Sequence, residues 1–266
     1  MNKKGKYYFA SDVHLGLYPP EQSREREKLF AAWLKEISSD AREVFLCGDI
    51  FDFWHEWKHV VPRGFTRVLG AIAHLTDNGI PVHFFTGNHD IWIYDYLEKE
   101  TGVDVHRKHI VRELEGKRFF IGHGDAVGKG DIGYKLLKGI FTNKVLQWLF
   151  ARLHPNFSMM FGLGWSKKSR YSKGIIPEEF QGVDKEYQPR FVIDTLKNQE
   201  HFDYFVFGHR HIPMDITFLG KTRMINLGDW INSFTYGIFD GVGFDLKVYQ
   251  NAGNPNILKL NVDKLE

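Results

Sequence analysis

The chain has 266 residues, 43% hydrophobic and 26% charged, the balance of a globular protein able to bury a sizeable core. A single cysteine, Cys47, excludes an internal disulfide and fits a reducing compartment, and no run approaches the ~18 apolar residues that span a bilayer. Net charge is only +2, yet residues 129–173 hold nine Lys or Arg against one acid, Asp131, so this segment carries +8 and the remainder −6, a local field able to draw anions.

The start, MNKKGKYYFASD, shows no secretory signal, so a cytoplasmic location is expected. In chain order, Lys6–Ala10 reads as a strand. Glu21–Ile37 has helical spacing, with Leu29, Phe30, Trp33, Leu34 and Ile37 on one face. Glu43–Cys47 reads as a strand, Phe65–Thr76 as a helix closed by Asn78-Gly79, Val82–Thr86 as a third strand and Tyr94–Glu100 as a short helix. This βαβα rhythm predicts a parallel sheet with helices on its faces. Ile110–Leu114 and Arg118–Ile121 flank Glu115-Gly116-Lys117 as a hairpin. Residues 125–186 read as helices broken near Thr142-Asn143, at Pro155 and around Gly162–Gly164. A helix from Tyr187, a strand at Tyr204–Phe207 and strands near Asp215–Phe218, Thr222–Asn226, Tyr236–Phe239 and Gly243–Val248 complete the chain. The expected division is a core of residues 1–124 and 187–266, with 125–186 as a helical lid insertion.

Five of these strands end in polar residues. The first runs into Asp12 and His14, the next into Cys47-Gly48-Asp49, then Gly87-Asn88-His89-Asp90, Gly122-His123-Gly124-Asp125 and Gly208-His209-Arg210-His211. Taken singly, an Asp or His closing a strand is an ordinary turn former. Together, Asp12, His14, Asp49, Asn88, His123, His209 and His211 would gather at one sheet edge, where ligands of parallel sheets bind. Carboxylates and neutral imidazoles buried together need cations. Seven oxygen and nitrogen donors exceed what one transition metal takes, and suit two ions if one carboxylate bridges. With no thiolate, manganese or iron suits the set better than structural zinc. Two such ions would furnish a hydroxide nucleophile near neutral pH. His89 would then donate a hydrogen bond or proton to the developing charge, with Asp90 orienting its ring. Trp54, His55, Glu56, Trp57 and His59 read either as a rim of this site or as an exposed helix start.

The ordered set DVH, GD, GNHD, GHGD and GHRH resembles the calcineurin-like metallophosphoesterase superfamily. The resemblance implies a layered αββα sandwich. It places Asp12, His14, Asp49 and His211 on one metal and Asp49, Asn88, His123 and His209 on the other, with Asp49 bridging. The spacing from His123 to His209 exceeds the regular interval between motifs by about 50 residues, and excess loops of that size are usually functional. The insertion combines its +8 charge with more apolar residues, from Leu136 to Phe161, than one packed helix face requires. That pairing suits acyl chains and anionic headgroups. In this it resembles the UDP-2,3-diacylglucosamine diphosphatases of lipid A biosynthesis. HGDAVGKGDIGYK (123–135) is similar to their HGD…D-x-GY segment, and WSKKSRYSK (165–173) to their Ser/Lys-rich lid stretch.

That likeness implies substrate contacts from Asn88, Asp131, Tyr134, Ser166, Lys167, Arg170 and Lys173, and two divalent ions, manganese preferred. It implies release of UMP and 2,3-diacylglucosamine 1-phosphate at the cytoplasmic face of the inner membrane, with the enzyme held there peripherally. Enterobacterial members carry GNRD and GHTH where this chain has GNHD and GHRH. The alternative activity is a metallophosphoesterase acting on a nucleotide, a cyclic phosphodiester or a phosphoprotein. A metal-free scaffold fits poorly, because every donor position is filled. No stacking pattern along the basic segment points to nucleic acid.

Overall fold

The computed structural model describes residues 5–125, 127–128, 132–172, 179–251 and 255–265. The first half runs β1 (Lys6–Ala10), α1 (Pro20–Ile37), β2 (Ala41–Leu46), α2 (Thr66–Asp77), β3 (Val82–Phe85), α3 (Tyr96–Thr101), β4 (Asp104–His106), β5 (Ile110–Leu114) and β6 (Lys117–Ile121). Three helices follow, α4 (Ile132–Thr142), α5 (Lys144–Phe150) and α6 (Pro155–Ser172). Then come α7 (Tyr187–Lys197), β7 (Tyr204–Phe207), β8 (Pro213–Phe218), β9 (Thr222–Leu227), β10 (Thr235–Phe239), β11 (Phe244–Val248) and β12 (Leu258–Val262).

The strands form two six-stranded sheets, ordered β11-β10-β1-β2-β3-β4 and β12-β8-β9-β7-β6-β5. In the first, β1 to β4 are parallel. In the second, β6, β7 and β9 are parallel. The alternation of side chains along β1 explains the layering. Tyr7 and Phe9 face inward, joining Phe45, Phe85, Phe119, Ile121 and Val206 in a core between the two sheets. Tyr8 and Ala10 face outward, onto Phe30, Trp33, Leu34, Val68 and Ile72 of α1 and α2. On the far side, Phe120, Phe205 and Phe207 meet Val192 and Ile193 of α7. A strand buried on both faces reads as an unbroken apolar run, and Tyr-Tyr-Phe-Ala is one. The expected αββα sandwich is the observed architecture.

Four expectations need correction. β4 and β12 are strands that the sequence reading did not predict. The β5–β6 turn has two residues, Glu115 and Gly116, both at positive φ, and Leu114 pairs with Lys117. Helix α6 runs unbroken through Gly162–Gly164. A β-carbon at Gly162 would overlap the ring of Phe53, so this glycine lets the helix lie against the loop after β2. Finally, no helix starts at Trp54–His59: Trp54, His55 and Glu56 are buried, Trp57 is half-buried, and His59 alone of the five is exposed. Glu56 Oε2 accepts the backbone N–H groups of Tyr94, Asp95 and Tyr96 at the start of α3.

Candidate metal centre

The seven predicted donors leave strands of both sheets. Asp12 and His14 follow β1, Asp49 follows β2 and Asn88 follows β3. His123 follows β6 of the other sheet, and His209 and His211 follow β7. Backbone pairing continues past the strand ends: Asp12 N–H donates to Gly48 O, and His14 N–H to Asp49 O, both at 3.0 Å. Hydrogen bonds also join loops of the two sheets here, Trp230 N–H to Asp12 O at 3.1 Å among them. His209 N–H donates to Asp12 Oδ2 at 2.8 Å, and His123 Nδ1 lies 2.9 Å from Cys47 O. Five donors sit at positive φ: Asp12 (54°), His14 (48°), Asp49 (54°), His209 (69°) and His211 (55°). Non-glycine residues enter this region at a cost of about 1–2 kcal/mol each. Such strain collects where surrounding structure holds a functional geometry. Gly48, at φ 87°, is bound by approach as well as conformation, since a β-carbon there would lie 2.6 Å from His123 Nδ1.

The side chains converge in overlapping groups. Asp12, His14 and His211 bring one ligand atom each within 4.8 Å of one another, as do Asp49, His123 and His209, and His14, Asp49 and His89. Asp49 Oδ2 lies between the first two groups, 3.3 Å from His123 Nε2 and 3.8 Å from His14 Nε2. Its Oδ1 accepts the His89 backbone N–H at 2.8 Å. Asp12 Oδ1 is 3.2 Å from His211 Nε2. Asn88 Oδ1 and His209 Nδ1 each stand 3.2 Å from His123 Nε2.

Several features fit this donor set to cations. The inward nitrogens of His14 and His211 are 3.3 Å apart, and Asp12 Oδ1 and Asp49 Oδ2 crowd the same space, 3.7 and 3.8 Å from His14 Nε2. Facing lone pairs of this kind ask for a positive charge between them. The outward nitrogens of His14, His211 and His123 face acceptors. His14 Nδ1 is 3.3 Å from Asp52 Oδ1, His211 Nδ1 is 3.5 Å from Asp229 Oδ2, and His123 Nδ1 faces Cys47 O. Metal-binding imidazoles are oriented by such outer partners.

The electrostatics agree. Burial alone would lower His123 and His211, but the charges of Asp49 and Asp12 lift both to about 10. Burial and the charge of His123 push His209 down to about 3. Burial would raise Asp49, yet His123 and His89 hold it well below the carboxylate range. Without a cation, protons on two imidazoles balance the buried carboxylates.

His89 and Asp90 differ from expectation in one respect. Asp90 does not orient the His89 ring. Its buried carboxylate accepts backbone N–H groups from Gly87, Asp49, Ile50 and Phe51 at 2.7–3.4 Å, tying the β2 and β3 loops together. Burial, with the charge of Asp49 adding to it, raises Asp90 to about 7. The His89 ring is held by Asp52, whose backbone O lies 2.9 Å from His89 Nδ1. Asp131 and Lys173 lie outside the described residues. Tyr134 is on α4, and Lys167 and Arg170 are on α6, where the backbone alone is described. Ser166 is buried, and its hydroxyl donates to Asp52 Oδ2 at 2.8 Å. Asp52 and Asp229 were missed by the sequence reading. Asp229 carried a signal, since β9 ends in Gly228-Asp229 as β2 ends near Gly48-Asp49. Asp52, three residues after Asp49 and without a glycine, carried none.

The sequence pattern of the calcineurin-like phosphoesterase family matches residues 5–213. A UDP-2,3-diacylglucosamine hydrolase of Porphyromonas gingivalis is 38% identical over 249 residues, covering 90% of this chain and 95% of that protein. Proteins of the same name are 30% identical in Neisseria meningitidis serogroup C (85% of this chain, 90% of theirs) and 25% identical in Histophilus somni (85% and 92%). The matched span begins before β1 and closes just past His211, enclosing every strand end that feeds the donor cluster, and by that match the chain belongs to the calcineurin-like phosphoesterase family.

Proposed function

We propose that this protein hydrolyses the diphosphate of UDP-2,3-diacylglucosamine. Water attacks the uridine-side phosphorus and the bond from that phosphorus to the bridging oxygen breaks. UMP and 2,3-diacylglucosamine 1-phosphate leave, a step of lipid A biosynthesis. Asp12, His14, Asp49 and His211 would hold one divalent ion, and Asp49, Asn88, His123 and His209 a second. The oxygen and nitrogen donors, with no thiolate among them, suit manganese. Such ions supply the Lewis acidity that phosphorus and the attacking water require. The chain's own part is orientation. A carbonyl oxygen can only accept, so His89 Nδ1 carries the hydrogen that faces Asp52 O. His89 Nε2 can then give a hydrogen bond or proton to the leaving oxygen only when the ring carries both protons, since in the neutral tautomer set by Asp52 O that nitrogen is an acceptor.

The substrate reading is carried by the surface of residues 125–186, which we take as the lid. Among the described residues, ten of the fifteen exposed large hydrophobics fall between Leu136 and Phe161, including Leu136 at 69%, Met160 at 66%, Val145 at 65% and Trp148 at 56%. These side chains do not close on a core of their own, as an insertion serving only itself would require. An exposed patch this concentrated marks an interaction surface, and acyl chains and a membrane face are its natural partners. No helix among the described residues is long and apolar enough to cross a membrane. The proposed association with the cytoplasmic face of the inner membrane is therefore peripheral.

The test is incubation of the purified protein with Mn²⁺ and UDP-2,3-diacylglucosamine, following UMP. Stoichiometric UMP is expected. Turnover of simple phosphodiesters with no UMP from the lipid would reject the substrate and keep the metal centre.

A further inference from the structure

Ser166 belongs to the lid, yet its hydroxyl reaches the interior of the core. It is buried, donates to Asp52 Oδ2 at 2.8 Å, and stands 3.3 Å from His89 Nδ1. Asp52 is buried as well. Its other oxygen, Oδ1, lies 3.3 Å from His14 Nδ1, and its backbone O accepts from His89. One residue thus touches the lid, a ligand candidate and the nearest candidate proton donor. The neighbours of Asp52 also seat the lid: Phe53 occupies the space left by Gly162 of α6, and the His55 ring packs 5.2 Å from Phe150 of α5. The loop 49–56 therefore carries Asp49 at one end and the lid's seat at the other.

We infer that Ser166 is a positioning residue: with α6 seated, its hydroxyl fixes Asp52, and through Asp52 the rings of His14 and His89. Lid seating and metal-centre geometry are then one event. The coupling rests on the reading of His14 and Asp49 as metal ligands. It assigns Ser166 a role different from the headgroup contact expected from the sequence. A contact residue would act on the lipid alone, whereas a positioning residue acts on every substrate and on the metal itself.

The experiment uses the full chain, with Ser166→Ala, Asp52→Asn and the double variant, and three probes. Mn²⁺ alone is titrated with the free ion read by electron paramagnetic resonance, bis(p-nitrophenyl) phosphate reports small-substrate turnover, and UDP-2,3-diacylglucosamine reports lipid turnover. Removing an outer partner of a metal ligand weakens binding about 10-fold or more, so Ser166→Ala should loosen Mn²⁺ by several-fold to about 10-fold. It should lower kcat for the small diester at unchanged KM. The double variant should be no worse than Asp52→Asn, because the serine acts through the aspartate. Unchanged Mn²⁺ affinity and small-diester kcat, with only the lipid KM raised, would overturn the inference. Additive losses in the double variant would also overturn it. If Ser166→Ala melts more than a few degrees low, Ser166→Cys, close in volume but a weak donor, carries the same test. A wild-type chain that turns over the diester but not the lipid removes the substrate proposal and leaves these arms standing. A wild-type chain that binds no Mn²⁺ removes both.

Discussion

The residues of the cluster are held in conformations that proteins ordinarily avoid. Asp12, His14, His209 and His211, four polar residues with left-handed backbone, surround Asp49, itself left-handed, and hydrogen bonds from neighbouring loops hold the turns at Asp12, His14, Asp49 and His209. Their protonation follows from the same crowding. His123 and His211, raised from an ordinary 6.5 to about 10, hold protons in the metal-free fold at pH 7–8. To coordinate a cation, an imidazole must give its proton up. Mn²⁺ binding at pH 8 should therefore release roughly two protons, and apparent affinity should climb with pH up to about 10. Calorimetry in buffers of different ionisation enthalpy reads this directly, and binding heats that do not change with buffer would contradict it. For stability the sign is the same. Groups raised in the fold stabilise it fully below 6.5, and that contribution fades as pH rises through about 10. Metal-free protein should melt lower at pH 10 than at pH 7.

Among the elements, the helices of the insertion were the hardest to read. Gly162 and Gly164 looked like a break because glycine weakens helices by about 1 kcal/mol each. The close approach to Phe53 overrides that preference, and it is visible only once α6 lies on the core. The two glycines should therefore answer oppositely to alanine. A β-carbon at Gly164 meets nothing within 4 Å, so Gly164→Ala should stabilise by about 0.5–1 kcal/mol. Gly162→Ala should destabilise by about 1–3 kcal/mol, overpacking outweighing propensity. It should also slow lipid turnover, by displacing the helix that carries Ser166. Melting curves of the two variants decide the matter; stabilisation at both positions would mean α6 does not rest on Phe53. The exposed apolar side of α4 and α5 makes a separate prediction. Trp148→Glu should cut co-sedimentation with vesicles of acidic phospholipid several-fold, while leaving diester turnover intact. The strands show the complementary lesson. Doubly buried β1, β2, β3, β6 and β7 were legible as short apolar runs closing in polar residues. β4 has three residues, and β12 alternates Lys259 and Asn261 with half-buried leucines, so neither offers such a run. That the five legible strands divide between two sheets was beyond periodicity, because periodicity assigns faces and not partners.

For the whole molecule, the donor cluster is also a seam. Three donor-bearing loops belong to the first sheet and two to the second, and the Asp12–His209 and Cys47–His123 bonds cross the gap at this edge. Cations gripped from both sides would bind the folded sandwich and not the unfolded chain, whose donors are scattered over 200 positions of sequence. Ligand bound only by the folded state stabilises it by RT ln(1 + [L]/Kd), about 2.7 kcal/mol at 100 times Kd. For a chain of this size that corresponds to a rise of about 5–10 °C in Tm. Mn²⁺ should therefore raise Tm by about this amount and a chelator should reverse it. The seam makes a sharper demand. His209→Ala removes one donor from the second sheet but leaves Asp12, His14 and Asp49 of the first untouched. If the ions clamp the two sheets, this variant should lose much of the Mn²⁺-dependent rise while its metal-free Tm moves little. If they sit on the first sheet alone, the rise should survive. Retention of the full shift in His209→Ala would thus separate the sheets energetically and remove the second ion from the centre, whatever the activity of the variant.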